Sequence, residues 1–347
     1  MTYNTLVFSG GGMQGVLYGG CIQSLHNLGL LQNSRICVGT SIGALTALAV
    51  CLDLSAAEIR QLCYKLTLGT VIGCSENNLF NLESGLRLLQ SCGMFSVEQL
   101  KKMVSDIIQQ KCGTDFEATT LTFSSLYQRT GKDLCVTVCC VNSQETLYIS
   151  RLTHPSMPIV EAVASSMCLP FLFTPNIYNQ EPYIDGGSFG HGFPFAYRST
   201  CNKLLMQQPA VSKTCRAIVF LLPTFMQRTQ YPLNFWRFTL QLLGAMWKNM
   251  NKRHHHYPIL EVKTSDDGEE PNPLEIVVDL HHASTSKLSH LSAPDGTSAR
   301  QPYLKSAYKI TTCTLLRKLH LKQQKSDFTL SVTGRDIFDH FNREKEN

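Results

Sequence analysis

Two glycine-rich turns near the start of the chain constrain its fold more than any other feature. The first turn, Ser-Gly-Gly-Gly-Met-Gln-Gly at residues 9–15, follows the short apolar run Leu6–Phe8. The second, Gly-Thr-Ser-Ile-Gly at residues 39–43, follows the apolar run Ile36–Val38 and leads into an alanine-rich apolar segment that ends at Leu54. A strand, a turn and a helix, repeated in this way, form the opening of a parallel α/β sheet. The pattern therefore predicts an α/β protein whose first two strands each end in a glycine-rich turn.

Ser41 is the strongest candidate for a catalytic residue. It lies between Gly39 and Gly43 in a Gly-x-Ser-x-Gly sequence, with a predicted strand before it and a predicted helix after it. In this setting a serine oxygen stands on a sharp turn, where it can act as a nucleophile. The glycines of the first turn offer backbone N–H groups that can stabilise an oxyanion. A short Gly-x-Ser-x-Gly sequence also occurs by chance, so the second turn alone leaves a purely structural serine open. The two turns together favour acyl-transfer chemistry.

The first turn also fits the Gly-x-Gly-x-x-Gly sequence of dinucleotide-binding proteins, through Gly10, Gly12 and Gly15. That kind of site requires an acidic residue about 20 residues beyond the loop, at the end of the second strand, to bind the ribose. Here the second strand runs into Gly39, and the first acidic residue of the chain is Asp53. We therefore expect no dinucleotide or other cofactor. We also expect no metal ion, because backbone N–H groups would stabilise the oxyanion.

A serine nucleophile needs a base that accepts its proton. Asp185 is the favoured base, because it ends a predicted strand and is followed by Gly186 and Gly187, which leave its carboxylate room to approach another loop. Since an aspartate of ordinary pKa is a weak base, the site needs burial, which Tyr183, Ile184 and Phe189 could provide. An Asp-Gly-Gly turn that merely ends a strand is the structural alternative. The histidine alternatives are His191, His281 and His282, whereas His254, His255 and His256 form a basic cluster typical of a solvated surface.

The composition is that of a globular protein and argues against a nucleic-acid-binding protein. The 347 residues are 43% apolar and 16% charged, with a net charge of +5, and no basic tract contains interleaved aromatic residues. The 14 cysteines are scattered, many of them in apolar runs, which favours buried and reduced thiols. The sequence contains neither a signal-peptide pattern nor an apolar segment of transmembrane length. The expectation is a cytoplasmic protein that is at most peripheral at membranes.

The rest of the chain predicts further elements of the same domain. The expected helices are 16–28, 97–110, 159–167, 235–250 and 307–321, and the expected strands are 134–140, 146–150, 183–185, 217–222 and 275–280. Residues 265–273 and 283–302 are polar and turn-rich and are expected to be exposed insertions. Helix 235–250 carries both tryptophans, Trp236 and Trp247, and could present an apolar face to a bilayer, although such a face is more often core.

Four sequence blocks occur together in a specific order and spacing. They are Gly-Gly-Gly-Met-Gln-Gly at 10–15, Gly-Thr-Ser-Ile-Gly at 39–43, Ala-Val-Ala-Ser-Ser-Met-Cys-Leu-Pro-Phe-Leu-Phe-Thr-Pro at 162–175 and Asp-Gly-Gly at 185–187. In this combination the chain resembles the patatin-like phospholipase family. The resemblance implies a three-layer α/β/α sandwich with a mainly parallel central sheet. Residues 1–200 would form the catalytic core, and 201–347 the C-terminal part of the same domain with divergent insertions.

The resemblance also implies roles for individual residues. Ser41 would be the nucleophile of a Ser–Asp dyad and Asp185 its base, and the N–H groups of Gly10, Gly11 and Gly12 would form the oxyanion hole. The block at 162–175 would pack as the wall that positions the Asp185 strand. The supporting positions would be Gly15, Gly39, Gly43, Gly186, Gly187 and Pro170. One residue departs from the family pattern: Gln14 stands where the family usually has Arg or Lys, which puts headgroup handling in question more than hydrolysis.

The resulting hypothesis is a lipid acyl hydrolase of the phospholipase A type. Its substrates would be acyl esters of phospholipids or neutral lipids, reached by transient contact with a membrane surface. A non-catalytic lipid-binding or scaffold protein of the same fold is the first alternative. An α/β-hydrolase esterase with the order Ser-Asp-His, using His281 or His282, is the second. In that fold the nucleophile follows several strands, so Ser41 comes too early.

Overall fold

The computed structural model describes residues 3–73, 82–188, 197–208, 215–222, 275–280 and 297–319. Ten strands lie within these ranges. They are β1 (Thr5–Phe8), β2 (Ile36–Thr40), β3 (Gly93–Phe95), β4 (Asp133–Cys140), β5 (Glu145–Ser150), β6 (Phe171–Phe173), β7 (Asn176–Tyr178), β8 (Glu181–Asp185), β9 (Ala217–Leu221) and β10 (Glu275–Asp279).

The same ranges contain ten α-helices and three short 3-10 helices. The α-helices are α1 (Tyr18–Asn27), α2 (Ile42–Cys51), α3 (Ala56–Lys65), α4 (Leu68–Ile72), α5 (Leu82–Ser91), α6 (Glu98–Cys112), α7 (Phe123–Thr130), α8 (Ile159–Met167), α9 (Tyr197–Gln207) and α10 (Thr297–Lys318). The 3-10 helices are Gly12–Leu17, Leu31–Asn33 and Ala118–Thr120.

Eight of these strands form one central sheet that is parallel on one side and antiparallel on the other. Its order is β10-β9-β1-β2-β4-β8-β7, and β5 also pairs with β4. The strands from β10 to β4 are parallel, whereas β4 pairs with β5 and β8, and β7 with β8, in antiparallel fashion. The remaining two strands, β3 and β6, form a small separate sheet. Strand β2 lies between β1 and β4, and its carboxyl end leads into the second glycine-rich turn. Ser41 therefore lies near the middle of the sheet.

Helices cover both faces of the central sheet. In β1 the side chains of Leu6 and Phe8 join the larger core with α1, α2 and α8, whereas Val7 joins a second core that contains Tyr197 and Leu204 of α9. Because both faces are buried, the parallel strands consist of nearly continuous apolar residues rather than alternating ones. This arrangement confirms the predicted three-layer α/β/α sandwich.

Most predicted elements are found within a few residues of their expected bounds. Three departures have clear physical reasons. The predicted helix 16–28 begins as a 3-10 helix at Gly12, because the glycine loop winds directly into it. The predicted turn-rich segment 283–302 is wrong at its end, since α10 already begins at Thr297 and accommodates Pro302 in its first turns. The short strands β3, β6 and β7 have no sequence periodicity long enough to predict them.

Helix 235–250 and the insertion 265–273 lie outside the described residues.

Close backbone packing fixes the turn that leads from β2 into α2. A Cβ atom on Gly39 would lie 2.4 Å from the Cα of Ala44, and one on Gly43 would lie 2.3 Å from the carbonyl oxygen of Phe8. Neither contact is compatible with any larger residue. Helix α2 therefore lies directly against the ends of β1 and β2. Gly39 and Gly43 are required because a side chain would not fit at either position, and not because their backbone φ angles are positive.

Gly43→Ala tests this packing. The added methyl group meets backbone oxygens of Phe8 and Ser9 that cannot move without shifting β1, so the free energy of unfolding should fall by roughly 1–3 kcal/mol or more. Gly85→Ala is the matched control, because among the described residues no atom outside the backbone of its own helix lies within 4 Å of its Cβ position in α5, and it should stabilise the protein by roughly 0.5–1 kcal/mol. Denaturant unfolding measures both. Equal stability of Gly43→Ala and the wild type would contradict the packing argument.

Candidate active site

Ser41 occupies a strained turn at the carboxyl end of β2. Its backbone angles are φ 54° and ψ −128°, a conformation that a residue with a side chain rarely adopts. The strain is characteristic of a nucleophile held on a strand-to-helix elbow. Only 8% of the Ser41 surface is exposed, so the hydroxyl group lies in a protected site at the N-terminus of α2.

Strand β4 brings Asp185 to Ser41 although the two residues are far apart in the sequence. Thr40 lies opposite Thr137 and Asp185 lies opposite Val138; because β5 occupies the other edge of β4 along residues 135–140, β2 and β8 pair with the same edge. The two strands run toward each other along this edge, so the residue after β2, Ser41, and the last residue of β8, Asp185, lie next to each other. Their side chains meet there: the Ser41 hydroxyl donates a hydrogen bond to the Asp185 carboxylate.

The Asp185 carboxylate is nearly completely buried, which changes its acidity. Burial is the largest effect and raises the pKa of Asp185 to about 6, from an ordinary value near 3.8. The hydrogen bonds from the Ser41 hydroxyl and from the Gly187 N–H act in the opposite direction, since they stabilise the charged form. The Gly187 nitrogen lies 2.9 Å from Oδ1 of Asp185. The carboxylate is therefore a stronger base than an exposed aspartate and is still mostly ionised at neutral pH.

Ser166 of α8 connects the elbow to the sheet. Its Oγ accepts a hydrogen bond from the Ser41 backbone N–H at 2.8 Å and donates one to the carbonyl oxygen of Thr137 at 2.6 Å. The same helix ends at Met167, and the carbonyl oxygen of the next residue, Cys168, accepts a hydrogen bond from the Asp185 N–H at 2.9 Å. Helix α8 and the turn after it thus position both members of the pair. The block at 162–175 was expected to act as such a wall, but nothing in its sequence distinguished Ser166 from Ser165.

The first glycine-rich turn lies beside Ser41. A Cβ atom built on Gly10 would be 3.3 Å from the Cβ of Ser41, and Gly11 packs against Leu222. Gly12 begins the 3-10 helix with φ +55°, a conformation that favours glycine. None of the described residues accepts a hydrogen bond from the N–H groups of Gly10 or Gly11. Gly10 is thus close to the Ser41 side chain, and the N–H groups of Gly10 and Gly11 have no acceptor among the described residues.

The supporting residues hold these segments together by close packing. Gly15 packs against Ile42 at the start of α2, and a Cβ on Gly186 would lie 2.1 Å from the carbonyl oxygen of Thr137. Pro170 is in the turn between α8 and β6. Gln14 is buried, and among the described residues no partner reaches its Oε1 atom. A neutral amide therefore lies in the protein interior behind the glycine loop.

The structure does not describe the histidine alternatives. Residues 189–196, 254–256 and 281–282, which include Phe189 and His191, lie outside the described residues. Within the described ranges, no cluster of three or more His, Cys, Asp or Glu side chains could bind a metal ion. Of the helices described, none combines the length and apolar character that crossing a membrane requires.

Comparison with known families agrees with this fold. The family model for patatin-like phospholipase matches residues 6–197, which include both glycine-rich turns, α8 and Asp185. The chain therefore belongs to the patatin-like phospholipase family. Among solved structures, VipD from Legionella pneumophila aligns over 91% of this chain and 67% of its own length, with a TM-score of 0.51 and 17% identity. That likeness concerns the fold.

Curated relatives match about half of the chain. A probable lipid hydrolase of Invertebrate iridescent virus 6 is 29% identical over 194 residues, 55% of this chain and 62% of the relative. The triacylglycerol lipase ptl3 of Schizosaccharomyces pombe is 29% identical over 177 residues, 50% of this chain and 34% of the relative. An uncharacterized protein of Acanthamoeba polyphaga mimivirus is 26% identical over 183 residues, 52% of this chain and 57% of that protein. The matched region thus spans between a third and somewhat under two thirds of these relatives.

Ser166→Ala tests whether Ser166 positions the nucleophile. The substitution leaves the Ser41 N–H and the Thr137 carbonyl group buried without a partner, so the free energy of unfolding should fall by about 1–3 kcal/mol. Because the elbow can then shift, the rate at which a small fluorophosphonate labels Ser41 should fall by roughly ten- to a hundredfold.

Ser165→Ala is the matched control. The Ser165 hydroxyl donates to the Glu161 carbonyl oxygen and accepts from Asn176, and neither bond involves Ser41. This variant should lose comparable stability but keep its labelling rate. A positioning role for Ser166 would be wrong if the two variants slowed labelling equally.

Proposed function

We propose that this chain is a lipid acyl hydrolase of the phospholipase A type, with Ser41 as nucleophile and Asp185 as its base. The observation that carries the proposal is the hydrogen bond from the Ser41 hydroxyl to the buried Asp185 carboxylate. The strained backbone of Ser41 and the neighbouring glycine N–H groups add independent support. Together they support the assignment of a nucleophile, a base and oxyanion donors to these residues.

In the first step, Ser41 Oγ attacks the carbonyl carbon of the ester while its proton moves to Asp185. The carbonyl oxygen becomes an oxyanion, which the N–H groups of Gly10, Gly11 and Gly12 stabilise by hydrogen bonds. The ester C–O bond then breaks, and the departing alcohol takes the proton from Asp185. The acyl group remains bound to Ser41.

The second step repeats this chemistry with water as the nucleophile. Asp185 accepts a proton from the water molecule, whose oxygen attacks the acyl carbon, and returns the proton to Ser41 Oγ as the fatty acid leaves. The raised pKa of Asp185 suits both directions, because a base is most effective when its pKa lies near the working pH. Backbone donors supply the stabilisation of charge, so the mechanism uses only groups of this chain.

Family membership supports the substrate class. The patatin-like phospholipase model covers the complete set of candidate residues, and two relatives are named as a probable lipid hydrolase and a triacylglycerol lipase. These names support hydrolysis of lipid acyl esters in general. We extend this to esters of phospholipids or neutral lipids, reached by transient contact with a lipid surface.

The region beyond residue 200 belongs, in this proposal, to the same domain as the catalytic core. Strand β9 pairs with β1 in the central sheet, β10 pairs with β9, and α10 packs against α1. Leu222, which follows β9, contacts Gly11 of the glycine loop. The C-terminal part thus contributes directly to the environment of the proposed oxyanion hole.

A non-catalytic lipid-binding protein of the same fold is the alternative. Such a protein has no need of a strained serine in contact with a buried carboxylate. Covalent labelling of Ser41 by a fluorophosphonate separates the two functions, because only an activated serine reacts.

Ser41→Ala and Asp185→Asn test the mechanism. Each removes a group that the proton transfer requires, so hydrolysis should fall by at least about a thousandfold while the fold is retained. The measurement is mass-spectrometric detection of fatty acids released from vesicles that contain phospholipid and triacylglycerol. Asp53→Asn is the control for the loss of a carboxylate away from the site, since the Asp53 side chain is half exposed.

The outcomes separate the components of the mechanism. Full activity of Ser41→Ala would rule out the serine mechanism. Activity that survives only in Asp185→Asn would assign the base to another group, such as His191. Lipid binding without hydrolysis and without labelling of the wild type would favour the non-catalytic alternative.

A further inference from the structure

Tyr18, the first residue of α1, is a buried tyrosine that the proposed proton transfers do not use. Its exposed surface is 0%, although it carries a polar hydroxyl group. That hydroxyl group donates a hydrogen bond to the carbonyl oxygen of Ser9 at 2.6 Å. Ser9 follows β1 and immediately precedes Gly10, the first residue of the proposed oxyanion hole. The buried hydroxyl group is therefore bonded to the backbone at the entrance to the glycine loop.

Aromatic packing holds the Tyr18 ring in place. The ring meets the Phe8 ring edge-on, with 5.2 Å between the ring centroids, and Phe8 stacks on Phe220 of β9 at 5.4 Å. Both arrangements are favourable for aromatic pairs. Burial raises the pKa of Tyr18 well above its ordinary value, so the hydroxyl group keeps its proton and remains a hydrogen-bond donor.

Ser9 is also attached to β9 and to the residue that follows this strand. Its N–H donates to the Phe220 carbonyl oxygen at 3.1 Å, and its Oγ accepts from the Leu222 N–H at 2.8 Å. The same Oγ lies 3.4 Å from the Tyr18 hydroxyl group. Because the Tyr18 hydroxyl proton already goes to the Ser9 carbonyl oxygen, Ser9 is the donor in this second contact. The residue before the glycines is thus fixed from two sides.

The bond from Tyr18 to Ser9 also determines where the Gly10 N–H points. The Ser9 carbonyl group and the Gly10 N–H belong to one planar trans peptide group, in which C=O and N–H point in opposite directions. The Ser9 oxygen lies on the inner side of the loop, where a Cβ atom on Gly43 would be 2.6 Å away from it. The Gly10 N–H therefore points away from Tyr18 and Gly43, in a residue that borders Ser41.

A peptide group next to glycine needs such an anchor. If this group turned over, the change would fall on ψ of Ser9 and φ of Gly10, and glycine tolerates φ values of either sign. In the reversed orientation the Ser9 carbonyl oxygen takes the place of the Gly10 N–H. A carbonyl oxygen repels a developing oxyanion, whereas an N–H group stabilises it.

We infer that Tyr18 is a positioning residue for the reaction: its hydroxyl group holds the Ser9–Gly10 peptide group in the orientation that presents the Gly10 N–H to the oxyanion. The inference rests on the proposed function, because it concerns the oxyanion hole of that same site. Tyr18 acts through the backbone of the glycine loop and does not touch the substrate.

Tyr18→Phe tests this inference, because it removes one oxygen atom and keeps the ring. The kcat for a soluble butyryl ester should fall roughly ten- to a hundredfold, less than the loss of roughly 10²–10³ that follows complete removal of an oxyanion donor. KM should change by less than about twofold, because the donor acts on charge that develops in the transition state. The pH of half-maximal rate should not shift, since Asp185 is unaltered.

A trifluoromethyl ketone gives a second measurement of the same donor. Ser41 Oγ bonds to the ketone carbon, the serine proton moves to Asp185, and the carbonyl electron pair becomes an oxyanion at the position of the ester oxyanion. The Ki of this inhibitor should rise in Tyr18→Phe by about the factor by which kcat/KM falls. All rates are expressed per serine that a fluorophosphonate labels at saturation, so that unfolded chains do not contribute.

Ser24→Ala is the matched control on the same helix. Ser24 is buried, and its Oγ lies 2.8 Å from the Thr312 hydroxyl oxygen of α10, so this variant also loses an internal hydrogen bond. The temperature of thermal unfolding should fall in both variants. In Ser24→Ala, kcat and the Ki of the ketone should remain those of the wild type, because the lost bond does not involve the glycine loop.

The inference is overturned if Tyr18→Phe keeps the wild-type kcat, or if Ser24→Ala lowers kcat equally. It is also overturned if Tyr18→Phe yields no folded, labelled enzyme, because the hydroxyl group would then be required by the fold and not by the loop. A shifted pH of half-maximal rate would assign Tyr18 an effect on Asp185 instead. Failure of the proposed function differs from all of these, since the wild type then hydrolyses no ester and its Ser41 is not labelled.

Discussion

The contact between a nearly inaccessible carboxylate and a serine on a strained turn governs the organisation of this protein. Asp185 can stay ionised at neutral pH only because the Ser41 hydroxyl and the Gly187 N–H replace part of the water that burial removes. Both donors depend on strand β4, because β2 and β8 pair with consecutive parts of the same edge of β4 and their carboxyl ends meet there. Helix α8 then fixes the pair through Ser166 and the Cys168 carbonyl group.

The mixed topology of the sheet serves this contact. If the sheet were parallel throughout, Asp185 would lie at the end of another crossover unit, with a helix between it and the neighbouring strand. The antiparallel pairing of β8 with β4 instead brings its end directly beside the elbow. The side of α2 that faces away from the sheet is free of this requirement. The residues on that side include Ile42, Leu45 and Ala49, so one short helix has Ser41 at its start and an apolar face along its length.

The sequence predicted the local chemistry better than the long-range contacts. Gly39, Ser41 and Gly43 identified the elbow because space and strain at that turn restrict the residue types. Ser166 escaped prediction because its two hydrogen bonds join α8 to β2 and β4, and no periodicity records such a tertiary contact. The start of α10 was missed since Pro302 and the polar residues around it favour a turn locally, whereas packing against α1 overrides that preference. The assignment of Asp185 as base remains a prediction that its contact with Ser41 supports.

The pH dependence of Ser41 labelling by a fluorophosphonate tests the central claim most directly. Only the ionised form of Asp185 can accept the Ser41 proton, so the labelling rate should rise with pH, reach half its maximum at about pH 6 and level off above it. Asp185→Asn should remove both the rise and nearly all of the rate. A rate that does not change between about pH 5 and pH 8, or an unaltered profile in Asp185→Asn, would contradict the account.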